Sequence, residues 1–324
     1  MRAIQVSETG GPEVLHLAEL PDPEPGAGQV LVELAAAGVN YIDTYHRSGA
    51  YPMPLPFIIG SEGAGTVIAV GPEVSDITMG DRVAWVAAPG SYAELTVVPA
   101  EQAVPVPAGV DIDVAAGCLL QGMTAHYLAV SVHAVQPGET VLVHAAAGGM
   151  GLLLTQLATA RGARVIGTVS TAAKEQLARE AGAAEVIRYT EIDDVASEVR
   201  RLTGGDGVAA VYDGVGASTF DASLASLRRR GMLALFGAAS GPVPPVDPQR
   251  LNSAGSVFLT RPKLADYVAS REELLWRAGE VFEAIQAGSL RITIGGRYPL
   301  ADAARAHQDL QGRRTTGKLL LLTH

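Results

Sequence analysis

The octapeptide His144-Ala145-Ala146-Ala147-Gly148-Gly149-Met150-Gly151 comes straight after the apolar run Val141-Leu142-Val143 and opens onto a helical pattern. Laid on the spacing G-x-G-x-x-G it has Ala146, Gly148 and Gly151, with the first glycine replaced. The chemistry survives that replacement. Gly148 and Gly149 let the backbone approach a pyrophosphate, and Gly151 lets a helix pack tightly on the preceding strand. A helix beginning there turns unpaired N–H groups and the positive end of its dipole toward phosphates. A glycine-rich string on its own is as readily an ordinary turn. Between a strand and a helix, at the head of an alternating run, it predicts dinucleotide binding by Ala147, Gly148, Gly149, Met150 and Gly151.

Which dinucleotide binds is decided about 20 residues further on, where an NAD site places Asp or Glu against the ribose 2′-hydroxyl. Here stand Thr168-Val169-Ser170-Thr171-Ala172-Ala173-Lys174, with no acid at the strand end. Ser170 can donate a hydrogen bond, and Lys174, on the next helical turn, can meet a 2′-phosphate as a point charge. Such a charge-assisted bond contributes roughly 1.5–3 kcal/mol, so NADPH is the expected cofactor. Arginine supplies 21 of the 24 basic residues, leaving Lys174, Lys263 and Lys318 as the only lysines. Genome composition accounts for the bias, and the plain alternative for Lys174 is a solvated surface lysine.

Other reactive side chains read as structural. His16, His133, His307 and His324 have no ligand spacing, and His46 and His126 have no evident catalytic partner. Asp43 reads as a hydrogen-bond acceptor rather than a base. The run Arg228-Arg229-Arg230 reads as a cation cap on a helix C-terminus. Cys118, the single cysteine, excludes a disulfide framework and a Cys-rich zinc site, and its apolar setting suggests a buried, inert thiol.

These residues need a scaffold. A length of 324 residues is a prior for two domains, and 48% hydrophobic against 18% charged residues supplies packed cores. A net charge of −10 leaves no electrostatic footprint for nucleic acid. The uncharged stretches 114–138 and 140–160 are broken by polar residues and read poorly as membrane spans, and no signal-peptide pattern opens the chain. A soluble, cytoplasmic protein is expected.

Short strands at Ala3–Val6, Gln29–Ala35, Gly65–Val70, Arg82–Ala87 and Tyr92–Val98, divided by Pro- and Gly-rich turns, predict a mostly β beginning. The region from Asp113 to Val130 reads as helical. Strands Thr140–His144, Arg164–Val169, Glu185–Tyr189, Val208–Asp213 and Gly231–Phe236 then alternate with helices Gly149–Ala160, Ala172–Ala181, Val195–Leu202 and Ser218–Leu227. Continuous apolar strands between helices predict a parallel sheet covered on both faces. A strand Ser256–Thr260, helices Arg271–Ala287 and Leu300–Leu310, and a strand Lys318–Leu322 complete the pattern.

Five segments carry a resemblance: Ala-Gly-Val-Asn-Tyr-Ile-Asp-Thr-Tyr (37–45), Gly-Ser-Glu-Gly-Ala-Gly (60–65), the octapeptide 144–151, Val-Tyr-Asp-Gly-Val-Gly (211–216) and Leu-Thr-Arg-Pro (259–262). In that order, over nearly the whole length, the chain resembles the zinc-free, zeta-crystallin-like quinone oxidoreductases of the medium-chain dehydrogenase/reductases. The resemblance implies an α/β protein: a GroES-like, mostly β catalytic domain (1–125), a Rossmann NADPH-binding domain with a doubly wound parallel sheet (126–265), and a segment 266–324 returning to the first. Asn40 and Ser61 stand where zinc-dependent relatives carry cysteine and histidine, so metal catalysis of that type is not expected. Oxidising a plain alcohol calls for a Lewis acid, whereas a quinone accepts hydride readily and needs only positioning and charge stabilisation.

The implied activity is NADPH-dependent quinone reduction in the cleft between the domains. The resemblance puts Tyr45, Tyr51, Asn40 and Arg261 at the substrate pocket, with packing or an internal ion pair as their plain alternatives. It puts Asn40, Thr124, Tyr189, Phe236, Gly237 and Arg313 at the cofactor. Ala239 departs from the serine common after the Phe-Gly pair, and Ser240 is the expected substitute. A homodimer paired through Ser256–Thr260 is also implied. Rival readings are an enoyl or 2-alkenal reductase and a non-catalytic NADPH-binding protein.

Overall fold

The computed structural model describes all residues except Ala87, Arg313 and His324. It divides into two compact units, one formed by Met1–Met123 with Val268–His324, the other by the uninterrupted stretch Thr124–Tyr267.

The uninterrupted unit is an α/β fold around a six-stranded parallel sheet. Across the sheet the strands run Glu185–Arg188, Arg164–Val169, Thr140–Val143, Val208–Asp213, Leu227–Leu235 and Phe258–Thr260. The chain thus starts in the middle, moves outward one way, and returns to build the other half. That order reverses between Thr140–Val143 and Val208–Asp213, the switch point where open α/β sheets bind ligands. Helices Gly149–Ala160, Ala172–Glu180, Val195–Leu202 and Phe220–Ser226 supply the connections. Leu142, Ile166, Val211, Phe220 and Leu233 lie in its core. Burial on both faces is why these strands read as continuous apolar runs rather than alternations.

One feature departs from the expectation. Arg228, Arg229 and Arg230 do not cap a helix; they lie exposed within the strand Leu227–Leu235. The helix has already ended at Ser226, and Leu227 pairs with Val208. Arg230 takes the left-handed region at φ 58°, and the register shifts there, so the arginines form an exposed bulge on a ladder that resumes at Met232.

The discontinuous unit is mostly β. Its seven-stranded sheet has Gln29–Val39 as backbone, paired with Glu62–Val70, Leu95–Pro99 and Lys318–Leu322. A three-stranded sheet joins His16–Glu19, Arg2–Val6 and Phe57–Ile58. Val30, Val32, Leu34, Trp85, Tyr92, Leu319 and Leu321 are core residues drawn from both pieces of the unit. Gln29–Val39 runs four residues past its expected end. The added residues are Ala36, Ala37, Gly38 and Val39, whose small side chains hide strand character that the ladder to Lys318–Leu322 supplies.

Candidate functional site

At the switch point the expected strand–loop–helix geometry is present. The helix Gly149–Ala160 has Gly148 as N-cap with no side-chain cap, leaving its first turn of backbone N–H groups to a ligand. Ala145 sits in the left-handed region at φ 52°, and its carbonyl accepts the Gly148 N–H at 2.8 Å. A Cβ at Gly151 would lie 2.2 Å from the Ala145 oxygen, so only glycine lets the helix close on this turn. At Gly148 an added Cβ would meet only that same oxygen, at 3.2 Å. Gly148, Gly149 and Met150 are half-buried, whereas Ala147 is buried. The loop therefore has the bare backbone that a pyrophosphate requires.

The structure gathers Ser170, Lys174 and Tyr189 at the carboxyl ends of two neighbouring strands. Val169 pairs with Arg188, the Tyr189 N–H donates to Val169 O at 3.1 Å, and the Thr190 hydroxyl donates to Ser170 O at 2.9 Å. Lys174 occupies the first turn of Ala172–Glu180, whose N-cap Thr171 accepts the Lys174 N–H at 3.3 Å. Tyr189 itself is 39% exposed. On the other side of the switch point, the Phe236 N–H donates to Asp213 O, and a Cβ at Gly237 would collide with Gly214 O at 2.3 Å. Ser240 braces that loop, donating to Val215 O at 2.8 Å and accepting the Ser218 N–H at 3.0 Å. Thr124 is nearly buried on the helix Ile112–Tyr127. Arg261, just past the edge strand, is exposed and forms no ion pair among the described residues. Arg313 lies outside the described residues.

In the β-rich unit a helix absent from the predicted elements, Tyr41–Ser48, follows Asn40. Asp43 at its third position accepts the Asn40 N–H at 2.8 Å, and Gly49 closes it at φ 79°. That Asn-x-x-Asp…Gly spacing is the signal from which the helix was readable. The Tyr45 and Tyr51 rings meet at a tilt of 57° with 5.2 Å between centroids, and Tyr51 is 44% exposed. The structure thus brings these two together.

Beneath them lies a buried polar network that sequence reading missed. Lys318 Nζ donates to Glu62 Oε2 at 2.6 Å and to Asn40 Oδ1 at 2.7 Å. Asn40 Nδ2 donates to Glu62 Oε2 at 2.8 Å, and Glu62 Oε1 accepts the Leu120 N–H at 2.8 Å. The Lys318 and Glu62 side chains are 1% and 0% exposed. Asn40 also reaches Gly38 O at 3.3 Å, so its amide is engaged within the protein. A second chain runs through Asp43, which accepts from Ser61 at 3.1 Å and from the Tyr92 hydroxyl at 3.0 Å. Because Tyr92 spends its proton on Asp43, its oxygen accepts from His307 Nε2–H, and His307 Nδ1 accepts from Arg47 at 3.0 Å. Burial pushes Asp43 up to about 6, against the pull of the Asn40 N–H, Tyr92 and the Lys318 charge. Burial, aided by the Arg47 charge, drives His307 down to about 3, so it stays a neutral imidazole. Cys118 is buried, and burial raises its thiol well above the usual range. Among the described residues no three His, Cys, Asp or Glu side chains form a metal-holding group, and no helix is long and apolar enough to cross a membrane.

A β-rich unit in two pieces and an inserted parallel-sheet unit with a phosphate cradle define a medium-chain dehydrogenase/reductase. Residues 26–108 match the alcohol dehydrogenase GroES-like domain, and residues 149–269 match the zinc-binding dehydrogenase family. A quinone oxidoreductase of Pseudomonas aeruginosa is 47% identical over 323 residues, covering 99% of each chain. A 2-haloacrylate reductase of a Burkholderia species is 43% identical, covering 99% of this chain and 98% of its own. A mycobacterial protein solved in complex with NADPH superposes with a TM-score of 0.97 at 59% identity, covering 99% of this chain and 100% of that one. The chain belongs to the quinone oxidoreductase family of the medium-chain dehydrogenase/reductases.

Proposed function

We propose that this protein is an NADPH:quinone oxidoreductase. The observation that carries the reading is the uncapped glycine cradle at the switch point, flanked by Ser170 and Lys174 where an NAD site would hold an acid. The name of the Pseudomonas relative and the NADPH bound to the mycobacterial protein support it. Ala147 through Gly151 hold the pyrophosphate with backbone N–H groups, and Lys174 with Ser170 holds the 2′-phosphate. Tyr189, Thr124, Phe236, Gly237 and Ser240 complete the cofactor contacts. NADPH, when bound, supplies the hydride.

The protein's own contribution is to orient the acceptor and stabilise developing charge on its oxygen. Tyr45 and Tyr51 are the proposed pocket donors, and Arg261, exposed just past the edge strand, is a further candidate for substrate contact. Asn40 serves at the root of their helix, fixed by Lys318 and Glu62. The proton that accompanies hydride can come from solvent. Cytoplasmic placement belongs to the same reading, as does a homodimer. Phe258–Thr260 is an edge strand and Phe258 is 57% exposed, which supports pairing with a second copy.

The test is NADPH oxidation with 1,4-benzoquinone, 9,10-phenanthrenequinone, a 2-enoyl thioester and 2-haloacrylate in parallel, with and without chelator. Quinone turnover that ignores chelator and falls when NADH replaces NADPH supports the reading. The name of the Burkholderia relative favours a second reading, reduction of an activated conjugated acid or carbonyl. Turnover confined to 2-haloacrylate or the thioester would select it, and NADPH binding without turnover would select a binding protein.

A further inference from the structure

His144 heads the glycine-rich segment but points away from the loop, into the protein, and is 4% exposed. Its ring joins three strand ends through one hydrogen-bonded chain. Nδ1 meets Thr168 Oγ1 at 2.9 Å, and Nε2 meets Ser223 Oγ at 3.0 Å. Ser223 donates its single proton to Asp213 Oδ2 at 2.7 Å, so its oxygen must accept from His144 Nε2–H. Burial lowers the imidazole's pKa, with Asp213 pulling partly the other way. A neutral ring with its proton on Nε2 leaves Nδ1 to accept from the Thr168 hydroxyl. That turns a Thr168 lone pair to the Ala145 N–H, 3.3 Å away.

Both ends of this chain hold backbone. At one end Thr168 fixes Ala145, which sits in the left-handed region, and Thr168 O accepts the Ala146 N–H at 3.0 Å. A non-glycine residue is disfavoured in that region, so the turn persists only where its surroundings impose it. At the other end Asp213 accepts the N–H groups of Val215 and Gly216, at 2.8 and 3.0 Å, and the Thr219 hydroxyl. Those two loops flank the switch point. We propose that His144 is a positioning residue for NADPH binding: its imidazole fixes the Thr168 hydroxyl, holds Ala145 in the turn that opens the Gly148–Gly149 cradle, and ties that turn to the Asp213-held loop. The proposal rests on the NADPH reading of the cradle.

The experiment compares wild type with His144→Phe, Ser223→Ala and His144→Gln, the last keeping a donor and an acceptor. The readouts are NADPH dissociation constant by nicotinamide fluorescence, kcat and KM for benzoquinone at saturating NADPH, and the melting temperature. His144→Phe should weaken NADPH about 10-fold and Ser223→Ala about 3-fold, as expected for losing one or part of one positioning hydrogen bond. In both, kcat at saturating NADPH should stay within about 2-fold, and His144→Gln should recover most of the affinity. Nitrogen NMR of the wild-type ring should show an unprotonated Nδ1. Variants that melt earlier yet bind NADPH like wild type would overturn the proposal, as would a protonated Nδ1. A wild type that does not bind NADPH would overturn the underlying reading with it. If His144→Phe does not fold, Ser223→Ala and Thr168→Val decide by the same affinity measurement.

Discussion

Removing the Lys318 ammonium should cost the β-rich unit more than removing it together with its partner. Lys318 and Glu62 lie 2.6 Å apart with side chains 1% and 0% exposed, so neither charge can turn to water. Lys318→Met leaves Glu62 as an uncompensated buried charge, and breaking such a pair from one side typically costs about 3–5 kcal/mol. At roughly 2–4 °C per kcal/mol, the melting temperature should fall by roughly 6–20 °C. Adding Glu62→Gln removes the stranded charge while keeping an acceptor for the Leu120 N–H. The double variant should therefore recover about 2 kcal/mol or more of what Lys318→Met loses. Trp85 and Trp276, the only two tryptophans, both belong to this unit, so urea unfolding followed by tryptophan fluorescence reports on it alone. The reasoning fails if the two single losses simply add, with a coupling below about 0.5 kcal/mol.

Lys174→Ala should weaken NADPH by roughly 10- to 150-fold while leaving NADH within about 2-fold, measured by fluorescence titration of each. Gly151→Ala should abolish measurable NADPH binding while the unit stays folded by circular dichroism, because its Cβ would meet the Ala145 oxygen at 2.2 Å. His307 is held neutral down to about 3, so its contribution to stability is full above the unfolded value near 6.5 and is lost as pH falls toward 3. Between pH 7 and 5 that loss is about 2 kcal/mol, and His307→Gln should remove it from the urea-unfolding difference between those pH values. Sedimentation velocity at micromolar concentration should give a dimer, and Phe258→Glu on the edge strand should shift it to monomer.

The α/β unit was largely legible because its signals are local. The strands Arg164–Val169 and Val208–Asp213 have the bounds that their apolar runs suggest, the helix Val195–Leu202 has those that its amphipathic pattern suggests, and the cradle follows its strand as the glycine spacing implies. The helix Tyr41–Ser48 was harder to see. It has eight residues, and Ile42 is its only aliphatic one, so periodicity had nothing to register. The buried network was not readable at all. Arg47 and His307 are 260 residues apart, and Lys318 and Glu62 are 256 apart. Contacts at such range leave no pattern in any local window; the scarcity of lysine was the only trace. His144 escaped notice because the motif draws attention to the glycines, while the ring's partners come from strands and helices up to 79 residues away.

The split of the β-rich unit has a consequence for biosynthesis. Its central strand Gln29–Val39 and the Glu62 carboxylate leave the ribosome well before the strand that completes the ladder, Lys318–Leu322, whose lysine follows Glu62 by 256 residues. At roughly 5–20 residues per second, Glu62 waits roughly 13–50 s for its counter-charge. During that interval the contiguous stretch Thr124–Tyr267 has everything it needs to fold. The nascent chain thus carries a finished nucleotide-binding unit while the seven-stranded sheet still has an open edge and an unpaired acid. That intermediate lasts until the segment carrying Lys318 is made, because only then do the ladder partner of Ala36–Val39 and the counter-charge of Glu62 exist.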